Sequence, residues 1–138
     1  NRAMSSEIAQ FVEHGASRIT PHVIENLLRK LPLLKAEFTQ IDEPSLPHLI
    51  DQLEFLADAV EDAADGSYPH LPYHAMSAAA FALIYAHNAV DIIPDSVPGM
   101  GHADDSAVVR YTLLKYEPQF EAYAASRQLD WNSITTAP

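Results

Sequence analysis

Between Ala75 and Val90 the chain puts apolar side chains on nearly every face a helix would present, and this run restricts the fold more than any other feature. Ala stands at 75, 78, 79, 80, 82 and 86, with Phe81, Leu83, Ile84 and Tyr85 among them. Alanine is the strongest intrinsic helix former, and a helix that is apolar all round must be covered on all sides. The run therefore predicts the central helix of a bundle, with small side chains that let its neighbours approach closely. Its apolar character continues to Ile93, but His87, Asn88 and Asp91 interrupt it, and each is costly in hydrocarbon. A buried helix is the expectation, not a membrane span.

The other segments fit that frame. Ser5 or Ser6 is expected to cap a first helix that turns Ile8, Phe11 and Val12 inward, with Gly15 as its stop. Thr20-Pro21 is a second start signal, and Val23, Ile24, Leu27, Leu28 and Leu31 follow at helical spacing. Pro32 leaves residues 33–38 as either a kinked continuation or a separate turn. Glu25 and Arg29 make a favourable pair on the expected wet side.

After a loop over Thr39–Pro47, a long helix to about Ala64 carries Leu49, Ile50, Leu53, Leu56, Ala57 and Val60, and Gly66 ends it. Its outer acids, Asp51, Glu54, Asp58, Glu61, Asp62 and Asp65, read as a solvated face, with a surface for a cation or basic partner as the sharper alternative. A second loop covers Ser67–His74. A final long helix from about Asp104 to Leu129, kinked at Pro118, is expected to bury Val108, Val109, Leu113, Leu114, Phe120 and Tyr123. Trp131 folds back over one end, and Ile134–Pro138 is a tail. With four glycines and 48% apolar residues, the 138-residue chain reads as one all-α domain, a small bundle of about five helices.

Charge is distributed unevenly. Residues 1–35 carry five basic and three acidic side chains, whereas Ala36–Val109 holds thirteen Asp and Glu with no Lys or Arg. The last 29 residues balance, and the total is −11. Such a middle section repels a phosphate backbone, so no nucleic-acid partner is expected and membrane association is at most peripheral. No cysteine is present, which excludes disulfides, thiolate metal sites and a Cys nucleophile. Met4 ahead of Ser5-Ser6-Glu7 reads as a start, without a basic-then-apolar leader pattern, and a cytoplasmic location is expected.

The segment Asp91 to Asp105 has the arrangement D-x-x-P-D-x-x-P-x-x-G-x-x-D-D, seven fixed positions in fifteen residues. With its flanking apolar helices, roughly Phe81 to Leu114, it resembles the YkvA-like family, a bacterial domain of unknown function whose core here would span about 75–116. Helices over residues 5–64 precede that core and a tail over 130–138 follows it. The resemblance implies a small helical domain, sometimes membrane-associated, and no established reaction.

The motif also has a physical reading. Pro94 forbids a continuing regular helix, Pro98-Gly99 is turn chemistry, and Gly101 tolerates a positive φ. Together they predict a rigid αα-hairpin. Asp104 is placed to cap the last helix, Asp105 favours its dipole, and Asp91 and Asp95 accept from backbone N–H groups. The alternative gathers Asp91, Asp95, Asp104 and Asp105 with His87 and His102 around a divalent cation. Two carboxylates ~5 Å apart repel by roughly 3 kcal/mol at an effective dielectric near 20, so four would converge only with a positive group among them. Arg110, a residue from the N-terminal third, or a metal would be that group.

Other arrangements are weaker. His70 and His74 have H-x-x-x-H spacing, but Pro72 breaks the helix needed to align them. Ser96 beside Asp95 reads as a turn residue more than a nucleophile. Two functions follow. The first is a non-enzymatic helical module for protein–protein or membrane-peripheral association, with a protein partner or a second copy and no cofactor. The second is a hydrolase-type enzyme dependent on a divalent cation held by the Asp cluster, with a histidine as base.

Overall fold

A computed structural model describes the backbone of residues 2–91, 102–134 and 137, and the side chains of 7–87, 105–134 and 137. Among the described residues there is no strand. Six helices are present: α1 (Arg2–Ser17), α2 (Pro21–Phe38), α3 (Leu49–Asp65), α4 (Tyr73–Asp91), α5 (His102–Lys115) and α6 (Glu117–Ser126). A short 3₁₀ turn over Trp131–Ser133 follows. The all-α bundle expected from the pattern is what forms.

α4 is the axis of the bundle, packed against α1, α2, α3 and α5. Ala75, Ala78, Ala79, Ala80, Ala82, Leu83 and Ala86 are all buried along it. α3 contributes Leu49, Leu53, Leu56, Ala57 and Val60, all fully buried, and Gly66 ends it with φ 88. The α3 core is wider than the expected stripe, because Gln52, Phe55 and Ala59 are buried as well. No helix among the described residues is long and apolar enough to cross a membrane.

Helix ends differ from expectation where tertiary contacts override local signals. α1 already runs from Arg2, so Ser5 and Ser6 lie inside it and not at the capping position before it. It also passes through Gly15 to Ser17, because Gly15 serves close approach: a Cβ there would fall inside the ring of Phe81 on α4. Gly15→Ala should thus destabilise the protein by about 1–2 kcal/mol in urea denaturation, since overpacking exceeds the gain in helix propensity. A neutral result would mean that the Phe81 ring swings aside freely.

α2 starts as expected, with Thr20 Oγ1 accepting from the Val23 N–H at 3.2 Å. It continues through Pro32 to Phe38, since Leu31 and Leu34, both buried, anchor the turns on either side of the missing N–H. By contrast, the single final helix divides. Pro118 opens α6 instead of kinking a continuous helix, with the break at Tyr116, as suits a residue that lacks an N–H and is preset for a first turn. Leu114 is consequently 49% exposed, not inward, while Val108, Val109, Leu113, Phe120 and Tyr123 are buried.

The C-terminal residues are docked, so the expected tail is part of the packing as far as it is described. Trp131 Nε1 donates to Glu117 Oε2 at 3.1 Å, and the indole meets Phe55 edge-on. Ile134 packs against the core, and Gln52 Nε2 donates to the Ala137 carbonyl at 2.9 Å.

Candidate functional site

The two helices that flank the Pro/Gly motif, α4 and α5, pack side by side as the hairpin requires. Residues 92–101 between them, including Pro94, Asp95, Pro98 and Gly101, lie outside the described residues, as do the side chains of Asp91, His102 and Asp104. α5 begins at His102, so Asp104 stands within its first turn and not at the capping position before it. Asp105 is described, and it is 1% exposed. Among the described residues, no three of His, Asp or Glu stand close enough to hold a metal ion. His70 is exposed in the loop and meets Tyr68 edge-on, away from any such grouping.

His87 is engaged with another helix. Its Nδ1 lies 3.1 and 3.2 Å from the two carboxylate oxygens of Glu37, at the end of α2, with both side chains about one-fifth exposed. Sequence reading missed Glu37, since 50 residues separate the partners and no local spacing marks them.

The acids of α3 are also more engaged than a solvated face would be. Lys35 of α2 bonds Asp58 at 2.9 Å and Glu61 at 3.3 Å. Burial pulls the Lys35 pKa down, but the bonds and charges of those two carboxylates outweigh it and leave it raised. Asp62 accepts the Tyr123 hydroxyl at 2.6 Å and pairs with Arg127. The cations arrive from the two ends of the chain, which is why the acidic middle segment by itself looked unpaired.

An open apolar feature lies over α4. α1 runs antiparallel to α4, with Phe11 beside Tyr85 and the Tyr73 hydroxyl donating to the Ile19 carbonyl at 2.9 Å. α2 runs parallel to α4, which brings Glu37 to His87. Although consecutive, α1 and α2 make little contact with each other. Between α2 and α4 is a cavity of about 170 Å³ lined by Val23, Leu27, Lys30, Leu34, Ile84 and His87. On the α1 side, Phe11, 44% exposed, meets Phe81 and Tyr85 edge-on at 5.4 and 5.2 Å. Phe81, Ile84 and Tyr85 follow i, i+3, i+4 spacing and are each half-buried, so one stripe of the central helix is left partly uncovered. The sequence signal for it was the all-round apolarity of this helix, which exceeds what its neighbours cover.

Residues 75–111 match a family described as "Protein of unknown function (DUF1232)", in agreement with the resemblance carried by the motif. No curated protein and no solved structure matches the chain.

Proposed function

We propose that this chain, whose residues 75–111 belong to a family of proteins of unknown function, is a non-enzymatic helical module that binds an acidic amphipathic helix of a partner protein. The observation that carries this reading is the partly uncovered stripe of Phe81, Ile84 and Tyr85, flanked by Phe11 and by the α2 cavity. An amphipathic helix lays its apolar face into such a groove through anchors at the same i, i+3, i+4 spacing. Charge selects the occupant. Residues 1–35 hold an excess of basic side chains, including Arg18, Arg29 and Lys30 around the groove helices, whereas the following 74 residues are purely acidic. Acidic flanks on the partner helix would therefore be steered to α1 and α2 and repelled by the acidic middle segment.

The test uses two labelled amphipathic peptides with the same Leu face, one with Glu and one with Lys on the polar side, followed by fluorescence anisotropy. The Glu peptide should bind saturably and the Lys peptide at least about tenfold more weakly. Phe11→Asp should weaken the Glu peptide by about tenfold or more, while Leu129→Asp, an equally exposed apolar position beyond α6, should leave it unchanged. Saturation by neither peptide refutes the reading. The cation-dependent alternative, with Asp91, Asp95, Asp104 and Asp105 as ligands, is separated by thermal melts with Mg²⁺, Mn²⁺, Zn²⁺ and a chelator. An association module gives no shift at millimolar metal, and a metal-dependent rise would redirect the assignment to those carboxylates.

A further inference from the structure

We infer that the cavity enclosed by α1, the start of α4 and the end of α5 is a binding site for a small organic acid. It lies apart from the groove and does not depend on the groove's having a partner. Its volume is about 410 Å³, within the ordinary range for small-molecule sites. Glu13, Ser17, Tyr73, His74, Ser77 and Lys115 are among its lining residues.

Two independent features of the wall call for an acceptor. The first is Ser77, 4% exposed, whose hydroxyl has no hydrogen-bond partner among the described residues. A buried hydroxyl left unpaired lowers stability, and an oxygen of a bound molecule would recover the loss. The second is the N-terminus of α4. Its first helical bond runs from the Met76 N–H to the Pro72 carbonyl at 3.0 Å, so the N–H groups of Tyr73, His74 and Ala75 have no intrahelical acceptor. Pro72 offers no side-chain cap. Side chains on a helix tilt toward its N-terminus, so Ser77 lies over the turn formed by Tyr73 and His74, and all three line the cavity.

The charged residues narrow the ligand. Lys115 is 45% exposed, and its only ion pair among the described residues is to Glu13 at a loose 3.8 Å, which leaves the ammonium available to an anion. His74 is exposed on the same wall. Glu13 opposes a second negative charge. Its Oε2 already accepts the Tyr111 hydroxyl at 2.6 Å, so a donor group on the ligand would meet the remaining oxygen. A single carboxylate on a compact hydroxylated molecule satisfies all of these groups. A dianion does not.

The experiment is a ¹H–¹⁵N NMR titration of the full chain with sodium lactate, sodium acetate and inorganic phosphate at millimolar concentration. Lactate should produce saturable shifts at His74–Ser77, and acetate the same shifts with weaker affinity. Ser77→Ala and Lys115→Gln should each weaken lactate binding by about tenfold. Ser77→Ala should also raise the melting temperature of the unliganded protein, since it removes an unpaired hydroxyl. Absence of saturation with either carboxylate overturns the inference, and so does lactate affinity that is undiminished from the parent in both variants. A response to phosphate alone overturns the carboxylate assignment.

Discussion

Replacing Phe55 by alanine is expected to cost about 3–5 kcal/mol and to loosen the C-terminal quarter of the chain selectively. Phe55 on α3 is 3% exposed and meets three other rings edge-on: Phe120 at 6.1 Å, Tyr123 at 5.5 Å and Trp131 at 5.8 Å. Two of these lie on α6 and the third on the 3₁₀ turn, so one side chain ties both elements to α3. Truncation removes the buried ring and three favourable ring contacts, and leaves a cavity that rigid helices close only in part. Urea denaturation reads the global loss. Hydrogen exchange should show residues 117–134 opening well before α3 and α4. A global loss below about 1 kcal/mol would mean that the C-terminal elements are held by something other than this ring cluster.

Asp62→Ala is expected to cost about 2–3 kcal/mol. Tyr123 is fully buried, and its hydroxyl donates to Asp62 at 2.6 Å while Arg127 pairs with the same carboxylate. Removal of the acid leaves the buried hydroxyl without its acceptor, whereas Arg127, 44% exposed, is taken up by solvent. Tyr123→Phe should cost only about 1 kcal/mol, since it takes away the hydroxyl and leaves Asp62 its cation. The two changes should be non-additive in a double-mutant cycle, as both break one bond.

This grouping also sets an alkaline limit. Burial, then the bond to Asp62 and its charge, raise the Tyr123 pKa, against a smaller opposing effect of Arg127. Burial and the bond to Glu13 push Tyr111 up to about 12. The unfolded chain releases both protons near pH ~10. The stabilisation is therefore complete below that value and is lost as pH rises toward and beyond 12. Urea midpoints should hold up to pH ~10 and fall between pH ~10 and pH ~12, less steeply in Tyr111→Phe and Tyr123→Phe. A flat profile in the parent protein would disprove the coupling.

Much of the architecture was legible because helix formation is signalled locally. The Thr20-Pro21 start, the Gly66 stop and the all-round apolar run of α4 each depend on residues within a turn or two of one another. The same locality produced the misreadings. Gly15 looks like a stop until the ring of Phe81 is set against it, 66 positions along the chain. Pro118 looks like a kink until the helix is seen to restart there. The acids of α3 look solvated until Lys35 and Arg127 arrive from the two ends.

The candidate sites divide in the same way. The motif around Asp91 to Asp105 stands out in the sequence and the partly uncovered stripe of α4 shows there only as all-round apolarity, whereas the Ser77 cavity has no linear signature. Periodicity, turn chemistry and composition settled that this chain is helical, that α4 lies at its centre and that proline and glycine separate α4 from α5. Which cation meets which acid, which glycine admits a ring and which apolar stripe stays open were decided only by packing. A side chain's periodic position tells it which way to face, but its partner is chosen by the angle at which two distant helices cross.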